Sequence, residues 1–168
     1  MRLTLSLDPL FSCRVDAIVR RTGADITHFS VEDVLPQAGP EAIEACRELR
    51  RLGERAGLPL GRAVSTAAGS LPARWLIHVH GPAFDVRHSN EHLLRLAYRS
   101  VLAAADAVGA ETVAMRPLGT TEPYWPLETA IRAATGVLPN TPTGACEVRL
   151  VLKTAAGLEP FAEALARR

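Results

Sequence analysis

From Trp75 onward, three short apolar runs alternate with segments of helical period, and this alternation limits the fold more than any other feature of the chain. Trp75–His80 is stopped by Gly81-Pro82 and followed by Leu94, Ala97, Val101, Leu102 and Ala105 at helical spacing. Thr112–Met115 leads to a helical pattern over Pro126–Ala134, and Glu147–Leu152 leads to another over Leu158–Leu165. Short runs of this kind read as strands, and apolar residues three or four apart read as one face of a helix. A chain that alternates the two builds an α/β sandwich around a mainly parallel sheet.

The first half is less regular. Leu3, Leu5 and Leu7 alternate with Thr4 and Ser6, as in a half-buried strand, and Asp8-Pro9 ends it. Val15–Val19 is a second run bounded by Gly23, and the two read as a hairpin-like pair. Residues 24–37 have no clear period and read as loop, with one helical turn near Val31–Leu35. Gly39-Pro40 opens a helix, since proline suits a first turn. Its apolar face carries Ile43, Cys46, Leu49 and Leu52, and Gly53 or Gly57 ends it. Arg62–Ala67 reads as a strand, Ser89 or Asn90 caps the long helix, and Gly109 ends that helix. Pro139–Gly144 is a turn-rich connector. No repeat or linker interrupts the 168 residues, so one domain over 1–168 is expected.

Charge and composition exclude several classes of function. The net charge of +1 supplies no basic field for nucleic acid, and aromatics at 5% supply few stacking platforms. Lys153 is the only lysine, and the preference for arginine reads as a GC-rich coding bias of a bacterial kind. Cys13, Cys46 and Cys146 are odd in number and widely spaced, which suits free, buried thiols in a reducing compartment. The N-terminal run alternates and lacks the apolar core of a signal peptide, and no run is long enough to cross a bilayer. A cytoplasmic location is expected.

The residues between Met115 and Pro126 carry the first chemical signal. A loop between the carboxyl end of a strand and the start of a helix is where open α/β sheets hold nucleotides and phosphates. Gly119, Thr120 and Thr121 let a backbone approach such a ligand closely, whereas Glu122 would repel a phosphate. His78 and His80 lie on one strand face without a third metal ligand nearby in sequence, and His88 falls outside the helix that holds His92, so no metal site is expected.

The order of these segments resembles the macrodomain family, whose members bind ADP-ribose and in some cases hydrolyse its conjugates. Val15-Asp16-Ala17-Ile18-Val19 is similar to its second strand, and Gly39-Pro40-Glu41 with Cys46 to the start of its first long helix. Gly61-Arg62-Ala63 and Leu71–Pro82 resemble its central strands, Leu94–Leu102 the following helix, and Ala114–Pro126 its phosphate loop. The resemblance covers nearly the whole chain. It implies a three-layer α/β/α sandwich with a mixed central sheet. It also implies ADP-ribose or a related NAD-derived nucleotide as ligand, an ADP-ribosylated protein as the partner of a hydrolase, and no metal or redox cofactor.

The resemblance implies ligand contacts at Asp8, Pro9, Gly23, Ala24, Asp25 and Val31, and at Gly119, Thr120, Thr121, Glu122 and Tyr124. Asp8 stands near the family's adenine acceptor, one residue out of the commonest register; it also suits a strand-ending turn. The family's Asn-Ala-Ala-Asn is replaced by Arg20-Arg21-Thr22-Gly23, so the asparagine that holds the distal ribose is missing. Its Gly-rich run becomes Ala24–Asp33, with Glu32 and Asp33 nearest to the catalytic acid. Those two residues are the candidate general bases, or else solvated acids of a helical first turn. Arg20 or Arg21 could pair a phosphate bidentately, although a salt bridge to Glu32 or Asp33 is the favoured reading. Pro123 removes an N–H that the family's loop offers. A hydrolase, a non-catalytic reader and an interaction scaffold with a closed pocket all remain open at this level.

Overall fold

The computed structural model describes residues 1–29, 33–53, 56–87, 90–120 and 124–167. Among these residues six strands form one sheet: β1 (Arg2–Ser6), β2 (Ala17–Thr22), β3 (Ala63–Ala67), β4 (Trp75–His80), β5 (Thr112–Met115) and β6 (Glu147–Val151). Among the described residues four α-helices accompany them: α1 (Leu35–Leu52), α2 (Glu91–Ala107), α3 (Leu127–Val137) and α4 (Ala155–Ala166). The strand order is β1-β6-β5-β2-β4-β3. Every pairing is parallel except β3 with β4, so the sheet is mixed, as expected.

Ala17 and Val19 of β2 point into a core shared with α2, α3 and Phe161 of α4, while Ile18 points into a second core shared with α1. The layers are therefore α1, the sheet, and the three other helices. The central strands are covered on both faces, which explains their continuous apolar runs. Asp16 fixes the register at the amino ends: its Oδ2 accepts from the backbone N–H of Glu111 and Thr112 and from the Thr112 hydroxyl.

Several sequence expectations need correction. β1 and β2 are not a hairpin pair: β6 and β5 lie between them, and all four run the same way. Alternation reports burial of one face and says nothing of the partner strand. Leu7 lies past the end of β1 and is 50% exposed. Leu52 is 74% exposed; the buried stripe of α1 is made instead by Leu35, Ala38, Ala42 and Cys46.

Small residues on that stripe allow a close approach. The Ser70 N–H donates to Ala38 O at 2.9 Å, and a Cβ on Gly69 (φ +60°) would lie 2.1 Å from the same oxygen. Gly39 (φ +82°) breaks α1 into a first turn and a long segment opened by Pro40. Asn90 precedes α2 but does not cap it with its side chain; its Nδ2 donates to Ala83 O at 2.7 Å. Cys13 and Cys46 are buried as expected, but Cys146 is exposed, one residue before β6 begins. No helix among the described residues is long and apolar enough to cross a membrane.

Candidate functional site

The carboxyl ends of five parallel strands emerge side by side along one edge of the sheet. They deliver Asp8 after β1, residues 152–154 after β6, 116–120 after β5, 23–29 after β2 and Gly81-Pro82 after β4. The two loops singled out from the sequence thus leave adjacent strands, with Val19 beside Met115.

Arg20 organises the loop after β2. β2 is an inner strand, so the Arg20 side chain enters the α1 core and is only 3% exposed. Its guanidinium grips Asp33 through Nε (2.9 and 3.0 Å) and Nη2 (2.6 Å). The remaining N–H groups donate to the carbonyls of Ile26 (2.9 Å) and His28 (2.7 Å) and to His78 Nδ1 (3.2 Å). The expected salt bridge with Asp33 is present, but it is buried and not at the surface. Five donors in a rigid fork can satisfy this many acceptors at once, which a lysine could not do.

His78 continues the network. Because Nδ1 accepts from Arg20, Nε2 carries the proton and faces Thr66 Oγ1 at 2.8 Å, and the Thr66 hydroxyl donates to Ala67 O at 3.2 Å. Burial, with help from the Arg20 charge, pushes the imidazole down from 6.5 to about 3. His78 is therefore a neutral core residue. Cys46 Sγ lies 3.7 Å from Nε2, and burial pushes its thiol up, so it stays protonated.

The candidates on this loop are pinned into the protein. Asp25 Oδ1 accepts from the Thr27 N–H and hydroxyl, and its other oxygen pairs with Arg50. The Ala24 carbonyl accepts from Leu58 N at 2.7 Å. Gly23 and Ala24 are exposed, and a Cβ on Gly23 would meet nothing within 4 Å. Asp33 Oδ1 also accepts from Leu35 N at 3.1 Å, capping the first turn of α1. A carboxylate committed to a guanidinium and a helix start is poorly placed to take a proton from water. Val31 and Glu32 lie outside the described residues.

The loop after β5 is built on aromatic rings. Tyr98 Oη accepts from Leu118 N at 2.8 Å; both groups are buried. Burial raises the phenol far above its usual range, so it stays protonated. Trp125 donates from Nε1 to Pro82 O at 2.9 Å and from its backbone to Gly119 O at 2.9 Å. Gly119 (φ +87°) lies on the indole, where a Cβ would stand 2.9 Å from Cδ1. Thr120 turns its hydroxyl to Pro117 O at 2.7 Å, and Tyr124 is 63% exposed. Thr121, Glu122 and Pro123 lie outside the described residues.

Between this loop and the start of α4 lies a cleft of about 230 Å³, with Val151, Leu152 and Phe161 among its apolar residues. Its polar lining comes from Arg116, Thr120, Tyr124, Lys153 and Thr154. Thr154 is also the N-cap of α4, accepting from Gly157 N at 3.1 Å. The sequence reading missed Arg116, Lys153 and Thr154. The available signal was their place just after two apolar runs, but the adjacency of β6 and β5 is not written locally.

Asp8 is exposed on the same edge. Its Oδ2 accepts from the Ser6 hydroxyl at 2.6 Å, and its N–H donates back to that hydroxyl at 2.9 Å. Pro9 opens the short turn Leu10–Ser12, its carbonyl accepting from Ser12 N. The turn reading of Asp8-Pro9 therefore holds, and the carboxylate still faces solvent. Arg21 lies against Gly81, 3.5 Å from its carbonyl oxygen, and burial lowers the guanidinium's pKa. His80 donates from Nδ1 to Leu58 O at 2.6 Å, and His92 is exposed. His88 lies outside the described residues.

Comparison with known proteins identifies the family and the fold. A family model described as Macro domain matches residues 31–134. A macro domain-containing protein of Streptomyces coelicolor is 41% identical over 129 residues, which cover 77% of this chain and 76% of that protein. An O-acetyl-ADP-ribose deacetylase of Escherichia fergusonii is 43% identical over 84 residues, 49% of this chain and 46% of the deacetylase. Among solved structures, a mutant Oceanobacillus iheyensis macrodomain with ADPR superposes with a TM-score of 0.85 at 23% identity, over 97% of this chain and 91% of that one. At that identity the likeness shows the fold.

Proposed function

The chain belongs to the macrodomain family, and from that premise we propose that it binds ADP-ribose or a related NAD-derived nucleotide along the carboxyl edge of its sheet. The observation that carries this reading is the cleft lined by Thr120, Tyr124 and Thr154, flanked on the strand order by Asp8 on one side and the loop after β2 on the other. At about 230 Å³ it is smaller than the roughly 300–1,000 Å³ that encloses a whole drug-sized ligand. It suits one part of a dinucleotide-sized molecule, the nucleoside end. Asp8 then accepts from adenine, and the diphosphate runs toward Gly119 and the loop of Gly23 and Ala24.

Removal of ADP-ribose from a modified protein is the activity that membership of the family supports, and the Escherichia fergusonii relative is named for deacetylation of O-acetyl-ADP-ribose. With Asp33 held by Arg20, Glu32 is the acid to assign as general base. Gly23 favours a second reading, a non-catalytic reader, because it stands where the family holds the distal ribose with asparagine and offers no side chain to hold it.

Calorimetric titration of the full chain with ADP-ribose tests the binding claim: saturable heat and a thermal shift are expected, and their absence overturns it. Release of ADP-ribose from a modified protein separates hydrolase from reader. A Glu32→Gln variant that releases it at the wild-type rate removes Glu32 from the mechanism.

A further inference from the structure

Two cations from different parts of the chain line the cleft. Arg116 follows β5 and Lys153 follows β6. These strands are adjacent and parallel, with Met115 beside Leu150, so both cations leave the same edge of the sheet. Arg116 is half-buried and Lys153 exposed. Thr120 and Thr154 add hydroxyls to the same lining.

Their position matters more than their charge. A diphosphate held between the loops after β2 and β5 lies on one side of β5. The cleft shares Gly119 and Thr120 with the loop after β5 and extends to the other side, against β6, whose second neighbour is β1 with Asp8 beyond its end. The cations therefore flank the nucleoside end of the proposed ligand, and an unmodified nucleoside is neutral. Arginine and lysine beside a ribose are the chemistry that accommodates a phosphate on its hydroxyl, by a bidentate contact and a point charge respectively.

We infer that the cleft selects a nucleotide whose adenosine ribose carries a phosphomonoester, so that 2′-phospho-ADP-ribose, the NADP-derived counterpart of ADP-ribose, is the better ligand. This rests on the reading of the edge as a nucleotide site. Arg116 and Lys153 become specificity residues, and the apolar residues with Tyr124 serve the base and sugar.

The test is parallel titration of the full chain with ADP-ribose and with 2′-phospho-ADP-ribose at low salt. The phosphorylated ligand should bind about tenfold tighter or more, as one added charge-assisted contact allows. The ratio of the two affinities should shrink as salt is raised. Arg116→Gln and Lys153→Gln should each reduce the ratio, and the double variant should bring it close to one. Thermal melts confirm that the variants are folded. ADP-ribose binding with equal or weaker binding of the phosphorylated form overturns this inference alone. So does a preference that survives both substitutions. Failure of both ligands to bind overturns the nucleotide reading as well.

Discussion

The loops after β2 and β5 stand side by side at the same edge, yet they are held by opposite kinds of chemistry. The first is tied to one buried charge, Arg20, which gathers Asp33 and the carbonyls of Ile26 and His28. The second is wrapped on Trp125 and Tyr98 and uses neutral hydrogen bonds to Pro82 O and from Leu118 N. A charge-held loop fails all at once when its centre is removed, because all its partners lose their donor together and the Ile26 carbonyl and His78 are left buried. A ring-held loop fails in steps, as contacts are lost one by one.

The largest effect should come from Arg20→Ala. Removing one partner of a buried ion pair costs about 3–5 kcal/mol, and urea denaturation measures it. Amide exchange should rise over residues 24–29 while residues 118–120 stay protected. Uniform loss of protection in both loops would break the comparison.

Next is Gly119→Ala, which adds a Cβ 2.9 Å from the Trp125 ring at φ +87°. Destabilisation of roughly 1–3 kcal/mol is expected, with the reverse exchange pattern. An unchanged melting temperature would show that the ring yields freely.

Acidification gives a smaller, graded effect. The His78 imidazole is held near 3 in the fold and titrates near 6.5 when unfolded. The unfolded chain binds the extra proton between those values, so this contribution is complete above about pH 6.5 and is lost as pH falls toward 3. Asp16, lowered chiefly by the Thr112 hydroxyl, and Glu147, lowered chiefly by Arg2, add acid lability only from the carboxylate range downward. Urea midpoints between roughly pH 7 and 5 should therefore fall in the wild type and flatten in a His78→Gln variant. Equal slopes would remove His78 from the account.

Much of this fold was legible in the chain. The runs Trp75–His80 and Thr112–Met115 are strands over the residues expected, because inner strands of a parallel sheet are apolar on both faces and declare themselves locally. Strand neighbours were not legible, since pairing Arg2 with Glu147 depends on residues far apart in sequence. For the same reason the salt bridge of Arg20 could be expected but its burial could not: that follows from β2 lying between β5 and β4. Small residues also hide helices, as α4 shows. Its first turn, Ala155-Ala156-Gly157, has no apolar period and extends the helix ahead of the expected Leu158.

The single lysine has a practical consequence. Lys153 is the one side-chain amine in these 168 residues, and it is exposed at the lip of the cleft. An amine-selective acylating dye therefore has two targets without any engineered cysteine, the chain's α-amine and, separable from it by peptide mapping, Lys153. Its labelling rate, followed with and without nucleotide, would report occupancy of the cleft as a simple footprint.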